Sequence, residues 1–203
     1  MTHSQRTILT DTASAEVTIK NSRFISCVQT IEARDQIRPI VQGLRQVHPK
    51  ANHVVYAFAL GGFGTQIHGQ SDDGEPKGTA GYPTLTVLRY TSLTNTLLTT
   101  VRYFGGIKLG TGGLVKAYTA SAKAVLDKAQ TEPLIEKKTL ILTFPYEMHR
   151  TLQKQLDLPG IVTLDTQYTD QVTLTCTLPA DQVPDVTQQL EDATSGHIGI
   201  TVS

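Results

Sequence analysis

The 203-residue sequence contains no apolar stretch long enough to cross a membrane. Its longest, such as Val54 to Leu60, fall far short of the roughly 20 residues that a spanning helix needs. The start, MTHSQRT, also lacks the apolar segment of a signal peptide. Both absences predict a cytoplasmic protein with no membrane partner. Cysteine is scarce: Cys27 and Cys176 stand far apart, without CxxC spacing or a nearby histidine partner. A disulfide framework and a structural zinc site are therefore not implied, and both residues are expected as buried thiols. Catalytic signatures are missing as well. Hydroxyls are plentiful, yet no nucleophile elbow, HExxH or Ser-His-Asp arrangement can be read. The phosphate-binding sequence GxxxxGK[ST] does not occur, and Val115 stands where a GxGxxG fingerprint starting at Gly110 needs its third glycine. No catalytic residue, metal site or cofactor is expected.

What is present suits a folded protein. With 39% hydrophobic and 18% charged residues, the chain has enough apolar material for packed cores and does not resemble a disordered one. Its length fits one large or two modest domains. The formal net charge of zero hides an asymmetry: residues 1–135 carry 14 Lys+Arg against 9 Asp+Glu, and residues 136–203 carry 4 against 9. A basic half marks a nucleic-acid or acidic-partner surface. Two domains with offsetting charges explain the same numbers, because an excess of five is modest for a nucleic-acid domain.

The residue pattern gives an α/β chain, of α+β type. After Lys138 the alternating run TLILTF reads as a strand, and Met148, Leu152 and Leu156 follow at helical spacing up to Pro159-Gly160. Two further alternating runs, Ile161 to Tyr168 and Gln171 to Leu178, form a hairpin across Thr169-Asp170. Asp181 is placed to cap a helix bearing Val183, Val186 and Leu190, and Gly196 opens a last strand. The order βαββαβ is that of a ferredoxin-like domain at residues 136–203.

Residues 1–133 form the other domain. Strands are expected at Glu16 to Lys20, Arg23 to Ile31 and His53 to Leu60, with a helix from about Asp35 to His48. A turn through Gly61-Gly62-Phe63-Gly64 leads to a short strand near Thr65 to His68. Pro83 suits a helix start, Thr94 to Phe104 reads as a strand, and a helix with Leu114, Tyr118, Ala122 and Val125 on one face follows. Pro133, in a short polar linker, marks the boundary.

Two loops interrupt these patterns. The first, from Gly105 to Gly113, puts five glycines and Lys108 between a strand and a helix. Glycine lets a ligand or another backbone approach closely, and helix N-terminal amides attract anions. Arg102, Lys108, Gly110, Thr111, Gly112, Gly113 and Lys116 are the candidate phosphate or nucleic-acid contacts; tight turns that pack a helix on a strand are the plain alternative. The second loop holds Asp72, Asp73 and Glu75, with His68 upstream and His53 on the preceding strand. Carboxylates with a histidine suit a divalent metal or acid–base work. Asp-Gly and Glu-Pro-Lys-Gly are turn makers, so carboxylates that hold the loop's own amides are the preferred reading.

The segments KNSRF (20–24), NHVVYAF (52–58), SDDGEPKGTAGYP (71–83) and VRYFGGIKLGTGGLVKAY (101–118) closely resemble the YigZ/IMPACT family. The resemblance covers nearly the whole chain. It implies an N-terminal domain similar to the second domain of a small-subunit ribosomal protein, and a C-terminal domain similar to a terminal domain of elongation factor G. Lys116 stands where arginine is usual in the family, and Thr100 where an apolar residue is usual. Eukaryotic members regulate translation by binding an activator of a stress-responsive kinase. A non-enzymatic, translation-associated role through RNA or the ribosome is thus the leading expectation; a phosphate-ligand or metal-dependent enzyme and a protein-binding regulator remain open.

Overall fold

The computed structural model describes residues 6–62 and 66–203. Phe63, Gly64 and Thr65, through which the turn after the His53 strand was expected to run, lie outside the described residues. The chain divides into two compact units, Met1–Leu134 and Ile135–Ser203.

The first unit runs β1 (Thr7–Leu9), β2 (Ala13–Ile19), β3 (Ser22–Thr30), α1 (Ile37–Val47), β4 (His53–Leu60), β5 (Ile67–Ser71), α2 (Gly81–Arg89), β6 (Thr96–Tyr103), α3 (Gly110–Leu126) and β7 (Thr131–Pro133). Lys20 and Asn21 join β2 to β3 with φ of 45° and 62°. Positive φ at both loop residues is the type I′ geometry whose twist matches the flanking strands. A five-stranded sheet, ordered β2-β3-β6-β4-β5, follows with every neighbour antiparallel.

Strand side chains alternate between faces, and helices cover both. Val28, Leu98 and Ala59 pack against Leu88 of α2 and Ala122 and Val125 of α3, while Phe24 and Val55 meet Leu114, Ala117 and Tyr118 of α3. Phe58, Leu60 and Leu97 pack against Ile37, Ile40 and Val41 of α1 on the opposite face. Thr100 sits among hydroxyls: its Oγ1 lies 2.7 Å from Ser26 Oγ, which lies 2.7 Å from Ser121 Oγ, all three residues buried. Mutual hydrogen bonding removes the penalty of burying these hydroxyls. The segment expected as linker is not free chain, because Thr131–Pro133 pairs antiparallel with Thr7–Leu9. Three-residue strands carry too little alternation to be read from sequence.

The second unit runs β8 (Lys137–Phe144), α4 (His149–Gln155), β9 (Val162–Tyr168), β10 (Val172–Pro179), α5 (Val183–Thr194) and β11 (Gly199–Val202). The sheet order β11-β8-β10-β9, antiparallel throughout, is the ferredoxin-like arrangement. Leu140, Leu142, Phe144, Val172, Leu174 and Leu178 form its core with Leu152 of α4 and Val186 and Leu190 of α5. Asp181 is not the cap of α5. It lies in a 3-10 turn that leads into the helix, and a proline in the first helical turn supplies the pre-set φ instead. Both cysteines are free, Cys176 buried and Cys27 half-buried, and burial pushes both thiols up. Among the described residues no helix is long and apolar enough to cross a membrane.

Candidate functional site

The acidic loop between β5 and α2 is held by its own carboxylates. Asp72 Oδ1 accepts from the amides of Ala80 and Gly81 at 3.1 and 2.8 Å, and its Oδ2 from that of Gly78 at 2.8 Å. Asp72 thereby caps α2, whose own N-cap residue, Ala80, makes no side-chain cap. Asp73 turns the other way at a φ of 48°, accepts from the Val54 amide at 2.5 Å and pairs with Arg45. Replacing Asp72 with alanine strands three amide donors. Charge-assisted caps contribute roughly 1.5–3 kcal/mol, so Asp72→Ala should lower unfolding stability by about 2–3 kcal/mol in urea titration. A change below about 0.5 kcal/mol would show that water replaces the carboxylate at no cost.

Beside this loop lies a buried polar cluster that the sheet register assembles. Phe24, Arg102 and His53 are direct partners across β3, β6 and β4, so all three present side chains to the face that α3 covers. Glu75 descends from the loop onto this row. Arg102 Nη1 donates to Glu75 Oε1 at 2.5 Å, and the Tyr118 hydroxyl of α3 donates to the same oxygen at 2.8 Å. Arg102 is only 5% exposed and Glu75 7%. Burial, with the Glu75 charge beside it, pushes the Tyr118 hydroxyl well above its ordinary range, so it stays a donor. The Arg102 guanidinium carbon lies 5.5 Å from the Phe24 ring centroid and 5.8 Å from that of Phe104. Among the described residues its buried Nε has no hydrogen-bond partner.

His53 completes the cluster with a defined polarity. Its Nδ1 lies 2.7 Å from the Asp73 carbonyl oxygen, which can only accept, so Nδ1 carries the hydrogen. In the neutral ring Nε2 is then an acceptor, 3.8 Å from Glu75 Oε2.

Above this floor opens a cleft of about 400 Å³, bordered by His53, Glu75, Arg102, Phe104, Lys108 and Leu114 and by Gly110 and Thr111 at the start of α3. The N-cap residue of α3, Leu109, makes no side-chain cap, and the first turn of the helix holds no acidic residue. Seventeen residues stand behind that end, whose partial positive charge favours an anion.

The structure separates the residues that the sequence grouped. Lys108, Gly110 and Thr111 border the cleft, and Gly112 and Gly113 continue the first turn of α3. Arg102 also borders it, but as buried floor and not as exposed basic surface, because Glu75 neutralises it and two rings flank it. Lys116 is exposed on α3 and does not border the cleft, since Leu114, Ala117 and Tyr118 form the inward face there. His68 is not part of the cluster. It pairs with Ala59 at the far end of β4, where burial and the charges of Arg89 and Arg6 hold its pKa below the usual histidine range. Among the described residues no three His, Cys, Asp or Glu side chains group closely enough to hold a metal ion. Tyr118 and Phe24 join this cluster; the sequence marks Tyr118 only as an aromatic on the α3 stripe near the glycine-rich loop and Phe24 only within the KNSRF segment, and neither pattern carries a sign that the Tyr118 hydroxyl meets a carboxylate.

Comparison with known proteins covers both units. The family model described as "Impact N-terminal domain" matches residues 20–126, and "Domain of unknown function (DUF1949)" matches residues 142–197. An "IMPACT family member" of Haemophilus influenzae is 32% identical over 186 residues, 91% of this chain and 90% of that protein. The "IMPACT family member YigZ" of Escherichia coli is 33% identical over 181 residues, 89% of each. A solved structure described as "Crystal structure of an hypothetical protein" superposes with a TM-score of 0.73 at 31% identity, over 97% of this chain and 96% of that one. With both domain models matched in order and relatives aligned along almost the full length, the chain belongs to the IMPACT family.

Proposed function

We propose that the N-terminal unit binds RNA through its phosphates at the start of α3, in the cytoplasm and in association with the ribosome. The observation that carries this reading is the start of a 17-residue helix whose N-cap residue, Leu109, makes no side-chain cap, with the exposed Lys108 beside it on the rim of a cleft. The basic excess of residues 1–135 supplies long-range attraction for a polyanion. The translation-associated role that the family resemblance implies fits RNA as the bearer of those phosphates. No covalent chemistry is part of this reading; the unit binds and does not turn over its ligand.

Counterion release makes the reading measurable. Each phosphate contact on single-stranded RNA contributes about 0.7 to the slope of log affinity against log salt. Lys108→Ala is therefore expected to lower that slope by about 0.7 on any RNA sequence, without a change in unfolding midpoint, because an exposed lysine adds little to stability. Lys116→Ala should lower it less, as Lys116 stands away from the cleft. An unchanged slope and affinity in the Lys108 variant, measured from low salt upward, would leave a protein-binding role in place of RNA.

A further inference from the structure

Glu75 and His53 both border the cleft, with Glu75 Oε2 3.8 Å from His53 Nε2, which is an acceptor in the neutral ring. Glu75 Oε1 is already taken by Arg102 and Tyr118, so Oε2 is the oxygen left for another donor. A single amino group with two hydrogens can donate to both. A lone ring N–H cannot. Beside them stands Arg102, nine-tenths buried, whose buried Nε has no hydrogen-bond partner among the described residues. Asn52 also lines the cleft, its Oδ1 accepting from the Phe104 amide at 2.8 Å, and Phe104, Leu109, Leu114 and Pro76 supply apolar wall. Phe104 is 45% exposed, so its ring is available at the mouth. The cleft is also bordered by Lys108 and by the start of α3, whose N-cap residue makes no side-chain cap. A ligand matching this layout has a flat body, an amino group at one end and an anionic group at the other.

We infer that the cleft receives one nucleotide base-first, the exocyclic amino group of the base donating to Glu75 Oε2 and His53 Nε2 while the phosphate rests on the α3 amides and Lys108. This rests on the phosphate reading of the α3 start given above. It adds that the RNA places an unstacked base in the cleft, and that the cleft distinguishes bases with an amino group from uracil. A cavity of about 400 Å³ lies at the small end of the roughly 300–1,000 Å³ range of ligand sites, which suits one nucleotide and not two. Stacking of the base on Phe104 is tolerant of sequence, since every base has a π-face; the acceptor pair is what discriminates.

Cytidine and uridine 5′-monophosphate are nearly the same shape and differ at the amino position, so they are the probes, with ribose 5-phosphate as the anion without a base. Titrated into the full chain, the cytidine nucleotide is expected to bind at least tenfold more tightly than either of the others, as one well-placed polar pair discriminates by that factor or more. Phe104→Ala should weaken it about tenfold, and His53→Ala should remove the preference over uridine while leaving the ribose 5-phosphate affinity unchanged. Ribose 5-phosphate binding as tightly as the cytidine nucleotide, or equal binding of the two nucleotides, overturns the inference. If RNA binds with the Lys108-dependent salt slope while Phe104→Ala has no effect and no nucleotide competes, the base cleft is overturned and the phosphate reading stands. Binding of neither RNA nor nucleotides overturns both.

Discussion

Glu75→Ala is expected to destabilise the N-terminal unit by about 3–5 kcal/mol, the range for removing one partner of a buried ion pair. Arg102 would remain under α3 as an uncompensated charge, 5% exposed and flanked by aromatic rings. Tyr118 would lose its acceptor in the same substitution. Domains have only about 5–15 kcal/mol of stability, so a large part of the total is at stake. Urea unfolding of the full chain, followed by a probe of the first unit, measures the loss. The double variant Glu75→Ala/Arg102→Leu separates charge from packing: with the stranded cation gone, it should recover much of the loss. A double variant as unstable as Glu75→Ala would mean that Glu75 acts by filling space. A single-variant loss below about 1 kcal/mol would remove the ion pair from the account altogether.

The glycines of the loop from Gly105 to Gly113 should divide sharply. At Gly105 an added Cβ runs into the backbone of Asn21 and Ser22, where the β2–β3 hairpin presses on the end of β6, and the Gly105 amide donates to Ser22 Oγ at 3.1 Å. Backbone cannot swing aside as a side chain can, so Gly105→Ala is expected to cost about 3 kcal/mol or more, at or beyond the top of the overpacking range. At Gly112 an added Cβ meets nothing within 4 Å. Alanine there should stabilise α3 by about 0.5–1 kcal/mol, because glycine inside a helix is unfavourable by that amount. Yet the methyl would crowd the turn where the phosphate is proposed to rest, so the same variant should bind RNA less well. Thermal unfolding and RNA titration of the two variants measure both effects. A destabilised Gly112→Ala would assign that glycine to packing; a stabilised one with parental RNA affinity would leave its presence unexplained and count against the α3 site.

Much of the architecture was legible because it is periodic. Alternation at Leu140, Leu142 and Phe144, and again at Val172, Leu174, Cys176 and Leu178, marks strands buried on one face only, and one helical stripe between them with a second after them leaves the ferredoxin-like order as the arrangement that buries all of these faces. The three-residue strands β1 and β7 were not legible, since three residues show no period and their pairing joins positions some 120 residues apart. The acidic loop was read in kind, as turn-forming carboxylates. Which carboxylate does what was not readable: Asp72 caps α2, Asp73 ties the loop to α1 and β4, and Glu75 alone goes inward.

By itself the sequence determined the fold class, the family and the two irregular loops, because each is written in local pattern or in long motifs that neighbouring residues carry together. Only the tertiary structure decided the site. Antiparallel register sets His53 opposite Arg102 and Arg102 opposite Phe24, loop closure drops Glu75 onto that row, and α3 lays Tyr118 over it. Those residues lie as far apart in the chain as Phe24 and Tyr118. Burial and pairing then turned Arg102 from an apparent surface cation into the floor of a cleft, and pairing is a property of neighbours in space that no run of adjacent residues encodes.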